Sequence, residues 1–165
     1  MKKILFLTIT VFCVLTKNFA QEWITFNSNE GKFTAMLPSQ PTIRLDTSKT
    51  YPRSITKLFI SQSTNDIFII GWVDYDSSYK FNEQSELNAN RDNFIEAING
   101  TLVDSKNIDF NGYKGLEFSA SSSAFFWTSK VFIVGKRPYQ LLAGSNTGKR
   151  SENENKFYNS FSIKK

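Results

Sequence analysis

Two short phrases carry the oxygen-rich side chains that could do chemistry. Asp74-Tyr75-Asp76-Ser77-Ser78 spaces carboxylates and hydroxyls as a hard cation would take them, and Glu83 and Glu86 stand three apart, near enough on a helix to work as an acid/base pair. Neither pattern is complete. Counting from Asp74, a calcium loop needs glycine at its sixth place and glutamate at its twelfth, where this chain has Tyr79 and Ser85. A polar strand-to-helix loop accounts for the first phrase, and the acidic first turn of a helix accounts for the second. Histidine is absent altogether, which removes Ser-His-Asp and Cys-His nucleophiles and every His-ligated metal centre. The expectation is therefore a protein without catalytic residues, metal or cofactor.

What remains is aromatic. Phe125-Phe126-Trp127 sets three large rings in a row, and successive residues of a strand face opposite sides, so the three cannot share one face. Trp72 and Tyr75 raise the same question. These five residues, Trp72, Tyr75, Phe125, Phe126 and Trp127, are the candidate binding surface, weighed against burial beneath a helix. Asn99-Gly100-Thr101 matches a glycosylation sequon, which has meaning only in a eukaryotic secretory pathway.

The start of the chain supplies an address. Lys2 and Lys3, the apolar run Ile4 to Leu15 and the Asn18-Phe19-Ala20 segment read as a secretory signal peptide over residues 1–20, cleaved between Ala20 and Gln21. A run of twelve residues with Thr8 and Thr10 inside it falls short of the roughly 20 that a spanning helix needs, so no stable membrane insertion is expected after cleavage. Removal takes Lys2, Lys3 and Lys17 but no acid, and the net charge falls from +5 to +2. A near-neutral surface argues against a nucleic-acid partner. Cys13, the only cysteine, leaves with the leader, so residues 21–165 must form one domain held by packing alone.

The order of elements that would position these residues can be read along the chain. Trp23 to Phe26 and a strand with Phe33 and Leu37 pointing inward form a hairpin around Asn27 to Gly31. Ile43 to Thr47 and Ser54 to Gln62 follow as strands, and Ile67 to Val73, apolar at both parities, reads as a central strand covered on both faces. Asn82 caps a helix running to Gly100 whose buried face would carry Leu87, Phe94, Ile95 and Ile98. Leu102 to Asp109 and Leu116 to Ala120 flank a turn at Asn111-Gly112, and Phe125 to Val134 and Tyr139 to Ala143 flank Gly135 to Pro138. Ser151 and Glu154 have capping-box spacing ahead of a short helix that lays Phe157 and Phe161 on the sheet. This is an α+β pattern, an antiparallel sheet with helices on its faces. Of the sixteen phenylalanines, those beyond Phe6, Phe12 and Phe19 of the leader supply its core.

The phrases WITFNSNEGKFTAMLPSQP at 23–41, NGYKGLEF at 111–118, VGKRPYQLLAG at 134–144 and KFYNSFSI at 156–163 resemble exported bacterial domains of the PsbP-like or Mog1-like superfamily. The resemblance implies an α/β/α sandwich and a small non-enzymatic module that binds or assists another protein in the periplasm or outside the cell. It carries no family-wide catalytic motif. A carrier of a small apolar ligand between helix and sheet is the alternative, and a histidine-independent hydrolase a third.

Overall fold

The computed structural model describes residues 22–164, so the leader, its Ala20–Gln21 junction and Cys13 lie outside the described residues. Ten strands and two helices follow one another: β1 (Ile24–Ser28), β2 (Phe33–Leu37), β3 (Thr42–Ser48), β4 (Ser54–Gln62), β5 (Asp66–Tyr75), α1 (Glu83–Ala97), β6 (Thr101–Phe110), β7 (Tyr113–Ser121), β8 (Phe126–Val134), β9 (Arg137–Ser145), α2 (Glu154–Ser160) and β10 (Ser162–Ile163). Seven strands form one antiparallel sheet in the order β3-β4-β5-β9-β8-β7-β6, and β1-β2-β10 form a second, smaller one.

Turn chemistry sets the hairpins. Asn111 and Gly112, both at positive φ (55° and 84°), make the two-residue link between β6 and β7. That conformation matches the right-handed twist of the flanking strands and favours an Asn-Gly pair. The β8–β9 link is shorter than Gly135 to Pro138 suggested: Val134 pairs with Arg137, leaving Gly135 and Lys136 as the turn and Pro138 inside the first residues of β9. Proline is tolerated there because it is the second residue of the strand, beyond Tyr139, where the pairing with β5 stops.

Alternation along the strands sends two sets of side chains to opposite faces of the large sheet. Phe59, Phe68, Ile70, Trp72, Phe132, Tyr139, Leu141 and Ala143 face the small sheet and α2, and close over Phe33, Ala35, Leu37, Phe157 and Phe161. Leu116, Phe118, Val131 and Ile133 face α1 and meet Leu87, with Phe81 and Phe94 packed at the margin. The covering is unequal. On one face it is a three-stranded sheet with a seven-residue helix, and on the other a single helix over β7 and β8. A sheet-rich α+β fold is what the strand count delivers, with helix a minority of the covering layers.

Several expectations change. Helix α1 buries Leu87 but leaves Phe94, Ile95 and Ile98 half-buried, because the helix lies chiefly over β7 and β8 and Ile98 is already its C-cap. For the same reason β5 is covered fully on one face only, with Ile67, Ile69 and Val73 half-buried on the α1 side. The Ser151/Glu154 capping box does not form. Asn153 is the N-cap, and Ser151 Oγ instead accepts from Asn153 N at 3.1 Å. The Glu154 carboxylate turns inward, taking a hydrogen bond from Thr128 Oγ1 at 2.8 Å and one from Arg150 at 3.0 Å. Since the single Thr128 proton goes to Glu154, the Tyr158 hydroxyl 2.9 Å away must donate to Thr128. The chain Tyr158 to Thr128 to Glu154 thus pins α2 to β8. Beyond α2, Ser162 and Ile163 pair with Thr34 and Phe33, an edge that the sequence reading did not include.

Candidate functional site

The five aromatic candidates do not form one surface. Trp72 is buried on the small-sheet side, where the Arg137 guanidinium lies 4.4 Å from its ring centroid, and Trp127 is buried on the α1 side against Phe94. Their indole N–H groups have no hydrogen-bond partner among the described residues. Phe125 and Phe126 are half-buried, and Phe125 leans on Trp127 at 5.4 Å between centroids. Phe125-Phe126-Trp127 is therefore divided between the faces of β8, as the strand period requires.

Tyr75 is placed differently. It ends β5 at the mouth of a cleft of about 560 Å³ between the β3–β4 loop and the β5–α1 loop, lined by Thr47, Lys49, Arg53, Ile55 and Asp76 among others. A neighbouring hollow of about 410 Å³ adds Tyr51 and Ser78. Asp76 N donates to Arg53 O at 2.9 Å and so ties the two loops together. Four rings run along this end of the molecule: Tyr51 to Tyr79 at 5.7 Å, Tyr79 to Tyr75 at 4.7 Å, and Phe81 within 5.9 Å of both Tyr75 and Tyr79. Edge and tilted contacts of this kind hold rings rigidly. Tyr51, at the outer end, is 77% exposed.

The polar groups of the site are mostly engaged with one another. The Tyr75 hydroxyl donates to Glu86 at 2.6 Å, and Asn90 Nδ2 donates to the same carboxylate at 3.0 Å. Burial first, and then the Glu86 carboxylate, push the Tyr75 phenol well above its ordinary pKa, which is the opposite of what a tyrosine base needs. Glu86 is buried while Glu83 is exposed, so the two carboxylates do not face one substrate. Asp74 forms a bidentate pair with Arg137 at 2.6 Å to each oxygen. Asp76 accepts from Ser78 N and Oγ at 3.0 and 2.7 Å, contacts that hold its carboxyl below the usual range. The Asp74 to Ser78 phrase is thus a self-capped turn, with its first carboxylate spent on a sheet arginine.

Beside the cleft runs β3, the edge of the large sheet, exposed over nearly all its length. Ile43 is 54% and Leu45 61% exposed on one face, and Ile55 on the adjacent strand is 44% exposed. Residue type alone does not mark these residues, or Tyr51, Tyr79, Lys49 and Arg53, as a binding surface. The alternation Ile43-Arg44-Leu45-Asp46 is what a half-buried strand would show, and only topology reveals that nothing among the described residues covers it. Among the described residues no helix is long and apolar enough to cross a membrane.

No protein-family model matches the chain, and no curated protein matches its sequence. Solved structures do. Cyanobacterial PsbP (CyanoP) from Synechocystis sp. PCC 6803, determined in solution, aligns over 87% of this chain and 93% of its own with a TM-score of 0.57 at 8% identity. A protein from Bacteroides thetaiotaomicron aligns at 15% identity with a TM-score of 0.40, over 86% of this chain and 48% of that one. At such identities the likeness to CyanoP speaks to the path of the backbone alone, and on that ground the fold of this chain is PsbP-like.

Proposed function

We propose that the protein is an exported, non-catalytic binding module that holds another protein of the cell envelope or the extracellular space. The tyrosine-lined cleft is its docking site. The carrying observation is the run Tyr51, Tyr79, Tyr75 and Phe81 beside an open cleft rimmed by Lys49 and Arg53. Tyrosine and arginine concentrate binding energy at interfaces because they offer large rigid area with a polar end. Asp74 and Asp76 are already partnered, so the two cations at the rim favour a segment that brings an apolar side chain flanked by carboxylates. Export follows from the leader reading of residues 1–20, and the near-neutral charge of the remaining chain makes nucleic acid a poor partner.

A carrier with its pocket between helix and sheet is disfavoured, since Leu87, Phe94, Phe118 and Trp127 already fill that space. A hydrolase is disfavoured by Tyr75, whose proton is held more tightly than usual. The test is an affinity capture from envelope extract with the wild-type protein beside Tyr79→Ala and Arg53→Glu. One protein retained in stoichiometric amount by the wild type and lost with either variant supports the reading. Recovery of a small lipid alone, or a protein held equally by all three, overturns it.

A further inference from the structure

We propose that the β3 edge pairs with the β3 edge of a second copy of this chain, joining two seven-stranded sheets into one continuous antiparallel sheet. The proposal does not rest on the docking role of the cleft: the two share Thr47 and Ser48 at one end of the strand, and Ile55 beside them, but the cleft cations Lys49 and Arg53 lie past the end of β3.

An edge strand presents a row of unpaired N–H and C=O groups and is ordinarily protected by charge, proline or a bulge. The other edge of this sheet has such protection. The register of β6 breaks between Leu102 and Asp104, and its Lys106 is committed to Glu117 at 3.3 Å. Strand β3 has no break: seven consecutive residues pair in register with β4, from Thr42 opposite Ile60 to Ser48 opposite Ser54. Its outer edge carries no bulge and its aliphatic side chains Ile43 and Leu45 are exposed.

The order of residues within β3 selects the occupant. In an antiparallel pair around a two-fold axis at Leu45, Arg44 stands opposite the second copy's Asp46, and Asp46 opposite its Arg44. Ile43 meets Thr47, Thr42 meets Ser48, and the two Leu45 side chains meet each other. Arg44 makes no ion pair among the described residues, and the Asp46 carboxylate accepts only from its neighbour Thr47 N. Sliding the register to the neighbouring symmetric alternatives sets Arg44 against Arg44 or Asp46 against Asp46. Shifting by a single residue turns the apolar face outward. The Leu45-centred register alone satisfies both charges, and it also places Ile55 of one copy and Ile43 of the other on either side of Thr47. Opposite charges directly across a ladder attract and like charges repel, so the strand specifies its own complement.

Sedimentation of the purified full-length protein should show a concentration-dependent dimer. Asp46→Arg, which places four arginines at the axis, should raise the dimer dissociation constant at least about tenfold. Combining it with Arg44→Asp restores the alternation in reverse and should restore the dimer. On a Cys13→Ser background, oxidised Leu45→Cys should cross-link copy to copy, whereas Ile43→Cys should not, because the two positions 43 would stand about 13 Å apart along the strands. A wild type that stays monomeric, a dimer indifferent to Asp46→Arg, a double variant that fails to recover, or Ile43→Cys cross-linking as readily as Leu45→Cys would each overturn the proposal.

Discussion

Raising the pH should loosen the attachment of α2, and the magnitude follows from one buried phenol. Tyr158 is 4% exposed and donates through Thr128 toward Glu154. Burial, and then the nearby Glu154 carboxylate, raise its pKa far above the ordinary value. In the unfolded chain the same phenol titrates near pH 10. Below about pH 10 both states are neutral and the contribution of the buried phenol is intact. Above it the unfolded state loses a proton that the folded state keeps, so stability falls as the pH climbs toward the folded-state value. At about pH 11 the unfolded state gains about 1.4 kcal/mol from ionising this one group. Tyr158→Phe keeps the ring, leaves the Thr128 to Glu154 hydrogen bond in place and cannot ionise. It should cost about 1 kcal/mol at about pH 8 for the lost hydrogen bond. By about pH 11 the variant should equal or slightly exceed the wild type in stability. Urea unfolding of both proteins at the two pH values reads the difference, and other alkaline titrations cancel between them. A gap that stays constant from about pH 8 to about pH 11 would refute the claim that this phenol is held neutral.

Two further outcomes follow from geometry already described. Gly115→Ala sets a Cβ 2.4 Å from the backbone oxygen of Val131, an atom that cannot step aside without breaking the β7–β8 ladder. A loss of about 3 kcal/mol in chemical unfolding is expected, at the upper end of overpacking costs, and a wild-type midpoint would contradict the close approach. Glu86→Gln removes the negative charge at the Tyr75 hydroxyl, so the alkaline absorbance titration of this tyrosine, isolated by comparison with Tyr75→Phe, should move to lower pH. It should stay above the ordinary value, because burial is the larger cause.

Local chemistry made much of the fold legible. The alternation in Phe33 to Leu37 placed the inward side chains at zero exposure, Ser54–Gln62 appears with the bounds read from sequence, and Asn111-Gly112 turns where its dihedral preference demands. Long-range arrangement was not legible. The partner of Ser162 and Ile163 lies at the other end of the chain, and Glu154 is drawn from the helix start by Thr128 and Arg150, a hydroxyl and a guanidinium that capping-box spacing does not weigh. The candidate site divided along the same line. Tyr75 could be singled out from its position after a buried strand, but Tyr51 and Tyr79 join it only because two loops meet at the Asp76 to Arg53 hydrogen bond. Exposure of Ile43 and Leu45 depends on β3 being an edge, a property of strand order and not of composition.

The pairing of β10 with β2 has a bearing on timing. The first hairpin emerges early in synthesis, yet its open side is closed only by Ser162 and Ile163, with the Ser160 hydroxyl accepting from Met36 N and Phe161 stacking on Phe33 at 5.5 Å. Contacts of such sequence separation impose a large loop-closure cost and slow the search for the native state. Until nearly the whole chain is present, β1 and β2 are a two-stranded ribbon of marginal stability. The first hairpin and the last strand of the described chain are therefore joined in one late step, and the open side of that hairpin waits on it.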